Sequence, residues 1–97
     1  VVVTLGADGA MALMGDDKVS VPGRKVKVVD TVGAGDSFHS ALLAGLHDLG
    51  ALTIDGLPKL QTAALQGLLN RATAAAAITC NRAGANPPTK AELESTL

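Results

Sequence analysis

The stretch DTVGAGDSF, residues 30–38, places two glycines and two aspartates directly before an apolar run. A strand is predicted to end near Asp30, and a helix is predicted to begin near Gly35. The first N–H groups of a helix lack an intrahelical partner, and the helix dipole adds partial positive charge there. Glycines at positions 33 and 35 let a ligand approach the backbone closely. This turn is therefore suited to bind a phosphate or a developing phosphoryl charge.

Asp36 is the unusual member of this turn, because a carboxylate repels a bound phosphate. Phosphoryl transfer to an alcohol gives such a carboxylate a task, since the attacking hydroxyl must lose its proton. The carboxylate can accept that proton while the neighbouring amides stabilise charge on the transferred group. Aspartate is also a common helix cap. From the turn alone, a catalytic base and a helix cap both remain open for Asp36.

Other glycine motifs fit this turn poorly. A dinucleotide fingerprint requires G-x-G-x-x-G, but Phe38 occupies the position of its third glycine. The sequence contains neither the G-K-[ST] triplet of a Walker A loop nor the G-x-S-x-G of a hydrolase nucleophile elbow. A dinucleotide-dependent oxidoreductase is therefore disfavoured.

The composition describes one small globular domain of 97 residues, with 47% hydrophobic residues and a net charge of −1. The balanced charge and the absence of Trp and Tyr argue against nucleic-acid partners. The apolar runs are too short to span a membrane, and no membrane partner is expected. Cys80 is the single cysteine, which excludes an intramolecular disulfide and fits a reducing cytosol, so a cytoplasmic location is expected.

The elements predicted around the turn follow the order strand, hairpin, strand, helix, helix, which is typical of an α/β protein. The first strand is predicted to be buried on both faces, and residues 41–46 of the first helix on every side. Thr89 is predicted to cap a last short helix with Glu92 as its capping-box partner. Because the chain opens on Val1 within a strand, we expect it to be a piece of a longer protein. The predicted strands are 1–5, 10–14, 19–21 and 25–30, and the predicted long helices are 35–49 and 60–79.

The signature DTVGAGDSF, with TLGADGA at 4–10 and AAAAITCNRAGANPP at 74–88, resembles the C-terminal third of ribokinase-like (PfkB-type) carbohydrate kinases. Within that family, the residue pattern at 21–46 most resembles bacterial fructokinases. The resemblance implies a Rossmann-like, three-layer αβα fold, of which residues 1–97 form the C-terminal part of a single kinase domain. It also implies ATP-dependent, Mg²⁺-assisted phosphorylation of a sugar hydroxyl.

Carried over by position, the resemblance makes Asp36 the catalytic base, in contact with the sugar, and forms the anion hole from the amides of Gly33, Ala34 and Gly35. A plain hairpin turn explains the glycines of the Thr4–Gly9 loop equally well. Thr73 departs from the Asn or His that relatives carry against adenine, and its helix position is equally compatible with packing. The implied ATP-binding residues are Thr4, Gly6, Asp8, Gly9, Gly35 and Thr73.

Many relatives bind a monovalent cation beside the anion hole, and the resemblance implies a K⁺ site here. Asp30 is also explained as a turn residue at the end of a strand. Pro88 stands where some relatives offer a serine ligand, which leaves the set one ligand short. The implied ligands are the Asp30 carboxylate and the carbonyls of Val32, Thr79, Arg82 and Gly84.

The resemblance further implies three partners: a sugar substrate, the remainder of the kinase chain and, in a homodimer, a second copy. The alternative function is a catalytically silent nucleotide-binding regulatory or structural domain of the same fold. Because the region that holds the sugar is absent, the 97 residues alone are expected to be inactive.

Overall fold

The computed structural model describes residues 1–53, 55–84 and 86–95, and it shows a small sheet with helices packed on one side of it. Ala85, within the stretch 74–88 quoted above, lies outside the described residues. The predicted α/β class is confirmed. The strands are β1 (Val2–Thr4), β2 (Ala10–Met14) and β3 (Asp17–Val21), the helices are α1 (Ala34–Asp48), α2 (Thr62–Cys80) and α3 (Lys90–Glu94), and 3₁₀ turns occupy Gly6–Asp8 and Leu57–Lys59.

The sheet is antiparallel in the order β1-β2-β3. Ala12 on β2 pairs with Val2 on one side and Val19 on the other. Side chains alternate between the two faces of a strand, and on β2 and β3 one face enters the core. The buried side chains of that face are Ala10, Ala12, Val19 and Val21.

Helix α2 lies between the sheet and α1, and its apolar side chains form the centre of the core. Gly45 on α1 permits close packing, because a Cβ there would collide with the side chain of Leu68 on α2. No helix within the described ranges has the length and apolar character needed to cross a membrane. The helical core residues are Phe38, Leu42 and Leu46 on α1, and Leu65, Leu68, Leu69 and Ala72 on α2.

The predicted capping box at the start of α3 is confirmed. Thr89 Oγ1 accepts from the Glu92 amide, and Glu92 Oε1 accepts from the Thr89 amide. Glu92 also forms an ion pair with Arg82, in the loop after α2. These contacts, with the buried Leu93, hold α3 against α2.

Residues 25–30 do not form the predicted strand. Their alternation of Lys and Val has the period of a strand, but the amides of Val29 and Asp30 both donate to the carbonyl of Cys80, at 2.8 and 3.1 Å. These bonds lead to the end of α2, and the segment pairs with none of the strands β1–β3, so it lacks the ladder of hydrogen bonds that a strand needs. The segment therefore crosses from the sheet to α1 as irregular chain.

Two burial predictions were also wrong. Strand β1 is exposed rather than buried on both faces, with Val2 at 38% and Val3 at 41% exposure. Within residues 41–46, Leu42, Gly45 and Leu46 are buried, whereas Leu43 is 51% exposed. Helix α1 packs on α2 through one face only, so its far side is open in the described chain.

Candidate functional site

A cavity of about 770 Å³ lies between the sheet, α1 and α2. Four parts of the chain form its walls: the loop 4–9, the irregular segment 22–31, the first turn of α1, and one face of α2. It brings together all the residues that the resemblance implied for nucleotide binding. Those residues are Thr4, Gly6, Asp8, Gly9, Gly35 and Thr73. A smaller cavity of about 430 Å³ between β3 and the start of α2 contains none of them.

The start of α1 presents unpaired amides beside this cavity. Gly33 precedes the helix in the left-handed conformation, with φ +81°, and its carbonyl accepts from the Ser37 amide at 2.9 Å. The Ala34 amide already donates to the Thr31 carbonyl over a long 3.3 Å. Within the described chain, the amides of Gly33, Gly35 and Asp36 donate to no other residue. The Asp36 amide was not part of the predicted anion hole, although the general rule of unpaired first-turn amides indicates it.

Gly35 is a glycine that the described chain itself does not require. Its φ is not positive, and a Cβ built at this position meets no atom within 4 Å. Gly35 nevertheless lines the cavity. The space that its missing side chain leaves is therefore available to a group that approaches the helix start.

Asp36 does not cap α1. The N-cap residue is Gly33, no side chain donates or accepts a capping hydrogen bond, and Asp36 lies within the first turn. Its carboxylate is exposed and forms no hydrogen bond or ion pair with another described residue. A negative charge in the first turn is favourable with the helix dipole. The structure thus leaves the Asp36 carboxylate available for chemistry, next to the unpaired amides.

Asp30 connects the loop before α1 to the loop after α2. Oδ1 accepts from the Val32 amide at 3.0 Å, and Oδ2 accepts from the Gly84 amide at 3.1 Å. These two hydrogen bonds hold the pKa of Asp30 below its ordinary value of 3.8. The carboxylate therefore stays ionised at neutral pH.

The implied cation ligands fit an alkali cation in their chemistry and partly in their placement. Asp30, Val32 and Gly84 are joined by hydrogen bonds, and K⁺ is bound by oxygens of this kind. The Thr79 carbonyl accepts from the Arg82 amide, and the Gly84 carbonyl accepts from the Asn86 amide. Each carbonyl oxygen has a second lone pair for a cation. No group of three or more His, Cys, Asp or Glu side chains that could hold a metal occurs among the residues described.

A buried pair of hydroxyls joins α1 to α2 directly behind the turn. Ser37 Oγ lies 2.6 Å from Thr79 Oγ1, and Thr79 Oγ1 donates to the Ala75 carbonyl at 3.1 Å. Because the single Thr79 proton is used on Ala75, Ser37 must be the donor to Thr79. Sequence reasoning missed this pair, since no spacing relates a serine on one helix to a threonine on another.

The loop 4–9 combines a packing role with its place in the cavity. Gly9 has φ +99°, and a Cβ there would lie 2.6 Å from the Pro22 carbonyl carbon and 2.7 Å from the Gly23 nitrogen. Gly6 has φ +58°, and a Cβ there would meet nothing within 4 Å. Packing within the chain therefore requires glycine at position 9. This agrees with the interpretation of the loop as a plain hairpin turn.

The side chains that α2 contributes to the cavity wall are small and uncharged. Thr73, Ala76, Ala77 and Cys80 recur at helical spacing along it. Thr73 is only 8% exposed, and its hydroxyl has no hydrogen-bond partner in the part of the chain that is described. A buried hydroxyl without a partner is uncommon. Its oxygen is fully buried, so Thr73 lines the cavity without exposing that hydroxyl to it.

A comparison with protein families assigns this chain to a family. Residues 1–92 match the model of the pfkB family carbohydrate kinases. The chain belongs to the pfkB family. The predicted family is thereby confirmed.

Curated relatives of this pfkB-family chain include several fructokinases. A fructokinase of Rhizobium leguminosarum bv. trifolii is 47% identical over 66 residues, which cover 68% of this chain and 20% of the relative. The probable fructokinase-4 of Arabidopsis thaliana is 40% identical over 97 residues, which cover 98% of this chain and 28% of the relative. The chain thus spans less than a third of the length of these relatives.

Solved kinase structures share the fold. A fructokinase from Vibrio cholerae O395, in a form with fructose, ADP and a calcium ion bound, matches with a TM-score of 0.78 and 32% identity, over 97% of this chain and 29% of that one. An aminoimidazole riboside kinase from Salmonella enterica matches with a TM-score of 0.80 and 29% identity, over 97% and 29%. The predicted ribokinase-like fold is confirmed.

Proposed function

We propose that this pfkB-family chain carries the anion hole, the catalytic base and much of the nucleotide site of an ATP-dependent sugar kinase. The observation that carries the proposal is the helix start. There the exposed Asp36 carboxylate shares the first turn of α1 with the unpaired amides of Gly35 and Asp36, and Gly35 lines the cavity of about 770 Å³. The kinase names of the relatives support the same chemistry.

In this reaction a sugar hydroxyl attacks the γ-phosphorus of ATP, the bond to the ADP oxygen breaks, and Asp36 accepts the hydroxyl proton. The amides of the first turn of α1 stabilise negative charge on the transferred group. Mg²⁺ bound to the nucleotide neutralises phosphate charge in such reactions. Thr73 and the small residues of the α2 wall offer a surface for the base.

The loops joined by Asp30 form the proposed K⁺ site. A fructokinase double mutant from Vibrio cholerae O395, solved with fructose, ADP and a potassium ion bound, is a structural relative at 31% identity and a TM-score of 0.78. A cation held by Asp30 and the carbonyl of Val32 would add positive charge close to the helix start. Its role would be to support the amides electrostatically.

The sugar is proposed to be fructose or a similar sugar, because fructokinases recur among the relatives. The experiment is a panel of sugars with ATP and the intact protein, comparing wild type with Asp36→Asn and Asp48→Asn. Asp48 is the matched control, since it is an exposed aspartate at the other end of α1.

Loss of the base is expected to lower kcat for Asp36→Asn by about 1,000-fold, while ATP binding persists. Asp48→Asn should retain wild-type turnover. Near-normal turnover by Asp36→Asn would show that Asp36 is not the base. ATP binding by wild type without phosphorylation of any sugar would instead support the alternative, a silent nucleotide-binding domain.

A further inference from the structure

The segment 22–28 forms a wall of the nucleotide cavity without being a strand or a helix. It begins where β3 ends at Val21, and the bond from the Val29 amide to the Cys80 carbonyl fixes its far end. Gly23 lies so close to the loop 4–9 that a Cβ there would collide with the Ala7 backbone. The segment, which carries the basic residues Arg24, Lys25 and Lys27, is therefore held in place at both ends.

The charged side chains that line the cavity come from Asp8, Arg24 and Lys25. The α2 wall carries no charge, so it cannot neutralise a phosphate chain. Arg24 already takes part in an interaction within the chain. Lys25 is exposed, and its ammonium forms no hydrogen bond or ion pair with any other residue that the structure describes. Lys25 is thus the available cation in the cavity wall.

Lys27 provides a comparison within the same segment. It is also exposed and also unpaired among the described residues, but it does not line the cavity. The two lysines share residue type and exposure, and they lie two positions apart in the same segment. They differ in whether they border the cavity into which the first turn of α1 opens.

We infer that Lys25 binds a phosphate of the nucleotide, from a different part of the cavity wall than the amides at the start of α1. This inference rests on the proposed nucleotide site. An ammonium serves as a point charge for phosphate, and the segment's fixed ends keep it at the cavity. Lys25 is a binding residue in this account, with no part in proton transfer.

The test compares binding of ATP and of adenosine to the intact protein by calorimetry, for wild type, Lys25→Met, Lys27→Met and Lys25→Arg. Removal of a charge-assisted contact is expected to weaken ATP binding by Lys25→Met by about tenfold. Adenosine binding should be unchanged, because adenosine has no phosphate. Lys27→Met should behave as wild type, and Lys25→Arg should retain most of the ATP affinity. The ATP affinity of Lys25→Met should also depend less on salt than that of wild type.

The binding measurements separate this inference from the proposed reaction. If wild type binds ATP but phosphorylates no sugar, a selective loss of ATP affinity in Lys25→Met still supports the inference, although the proposed reaction fails. Equal ATP affinities for Lys25→Met and Lys27→Met would overturn the inference while leaving the kinase proposal intact. An equal loss of ATP and adenosine affinity would also overturn it, as would failure of wild type to bind ATP.

Discussion

Two glycine-containing turns border the same cavity, and they use glycine for different reasons. In the loop 4–9, Gly9 combines a positive φ with a Cβ position that the backbone of Pro22 and Gly23 already fills. In the turn before α1, Gly35 has neither a positive φ nor a neighbour within 4 Å of its Cβ position. The first glycine is required by the chain's own packing, whereas the second is required by nothing in the described chain.

The difference separates residues that build the cavity from residues that face a ligand. Substitution at Gly9 should damage the fold, and substitution at Gly35 should spare the fold and damage activity. The predictions below test this separation, and each refers to the intact protein.

Gly9→Ala is expected to cause the largest loss of stability. The new methyl group would overlap the backbone at the end of β3 and would force alanine into a left-handed conformation, for a cost of about 3 kcal/mol or more. Denaturant unfolding of Gly9→Ala and of Gly15→Ala gives the comparison. Gly15 also has a positive φ, at +60°, but its Cβ position is open, so its substitution should cost less. Equal losses would remove the packing argument at Gly9.

Gly35→Ala should lower kcat/KM by about 100-fold, because a methyl group at the helix start displaces the bound phosphate. Stability should be unchanged or rise by up to about 1 kcal/mol, since alanine favours a helix over glycine. Steady-state kinetics with thermal unfolding checks both parts. Gly67→Ala is the control, since Gly67 on α2 is also helical with an open Cβ position. Wild-type activity in Gly35→Ala would show that no ligand approaches this position.

Ser37→Ala should reduce the free energy of unfolding by about 1 kcal/mol, because it removes the hydrogen bond to Thr79. The change leaves Thr79 donating to Ala75, so the loss should be smaller than at Gly9. A double-mutant cycle with Thr79→Val measures the coupling between the hydroxyls. Additive losses in that cycle would mean that the hydroxyls do not interact. Ser40→Ala, at an exposed position on the same helix, is the control.

Asp30 should make the smallest contribution, which is present at neutral pH and is lost in acid. Its folded pKa lies below the ordinary value of 3.8, so its stabilising effect is present above that value and is lost as the pH falls through the folded pKa. Asp30→Asn should therefore lessen the loss of stability on acidification in this range. Unfolding curves between neutral pH and about pH 3 measure it, with Asp16→Asn as the control. An unchanged acid dependence in Asp30→Asn would show that the carboxylate does not stabilise the fold.

Local sequence rules predicted the elements that depend on near neighbours. Helix α2, the strand at Ala10–Met14 and the Thr89–Glu92 capping box follow from spacing within one segment. The Lys–Val alternation of residues 25–30 led to a wrong prediction, because a strand also needs a pairing partner and the segment pairs with none of the strands β1–β3. The exposure of Leu43 could not be predicted either, since it depends on which face of α1 meets α2.

The candidate site likewise contains residues that a local pattern predicts and residues that it does not. The signature at 30–38 indicated the unpaired amides and Asp36, because both belong to one turn. The bonds of Asp30 to Gly84 and of Ser37 to Thr79 join parts of the chain that no local pattern relates. Lys25 was likewise not singled out, since its difference from Lys27 is a matter of position at the cavity.

The two hydrogen bonds of Asp30 also have a consequence for dynamics. The amides of Val32 and Gly84 lie far apart in sequence but depend on the oxygens of one carboxylate. Their exchange with solvent deuterium should therefore accelerate together when that carboxylate is protonated. A cation that drew the carboxylate away from either amide would appear as unequal exchange at the two positions. These two amide protons, one before α1 and one after α2, would therefore report what Asp30 is binding.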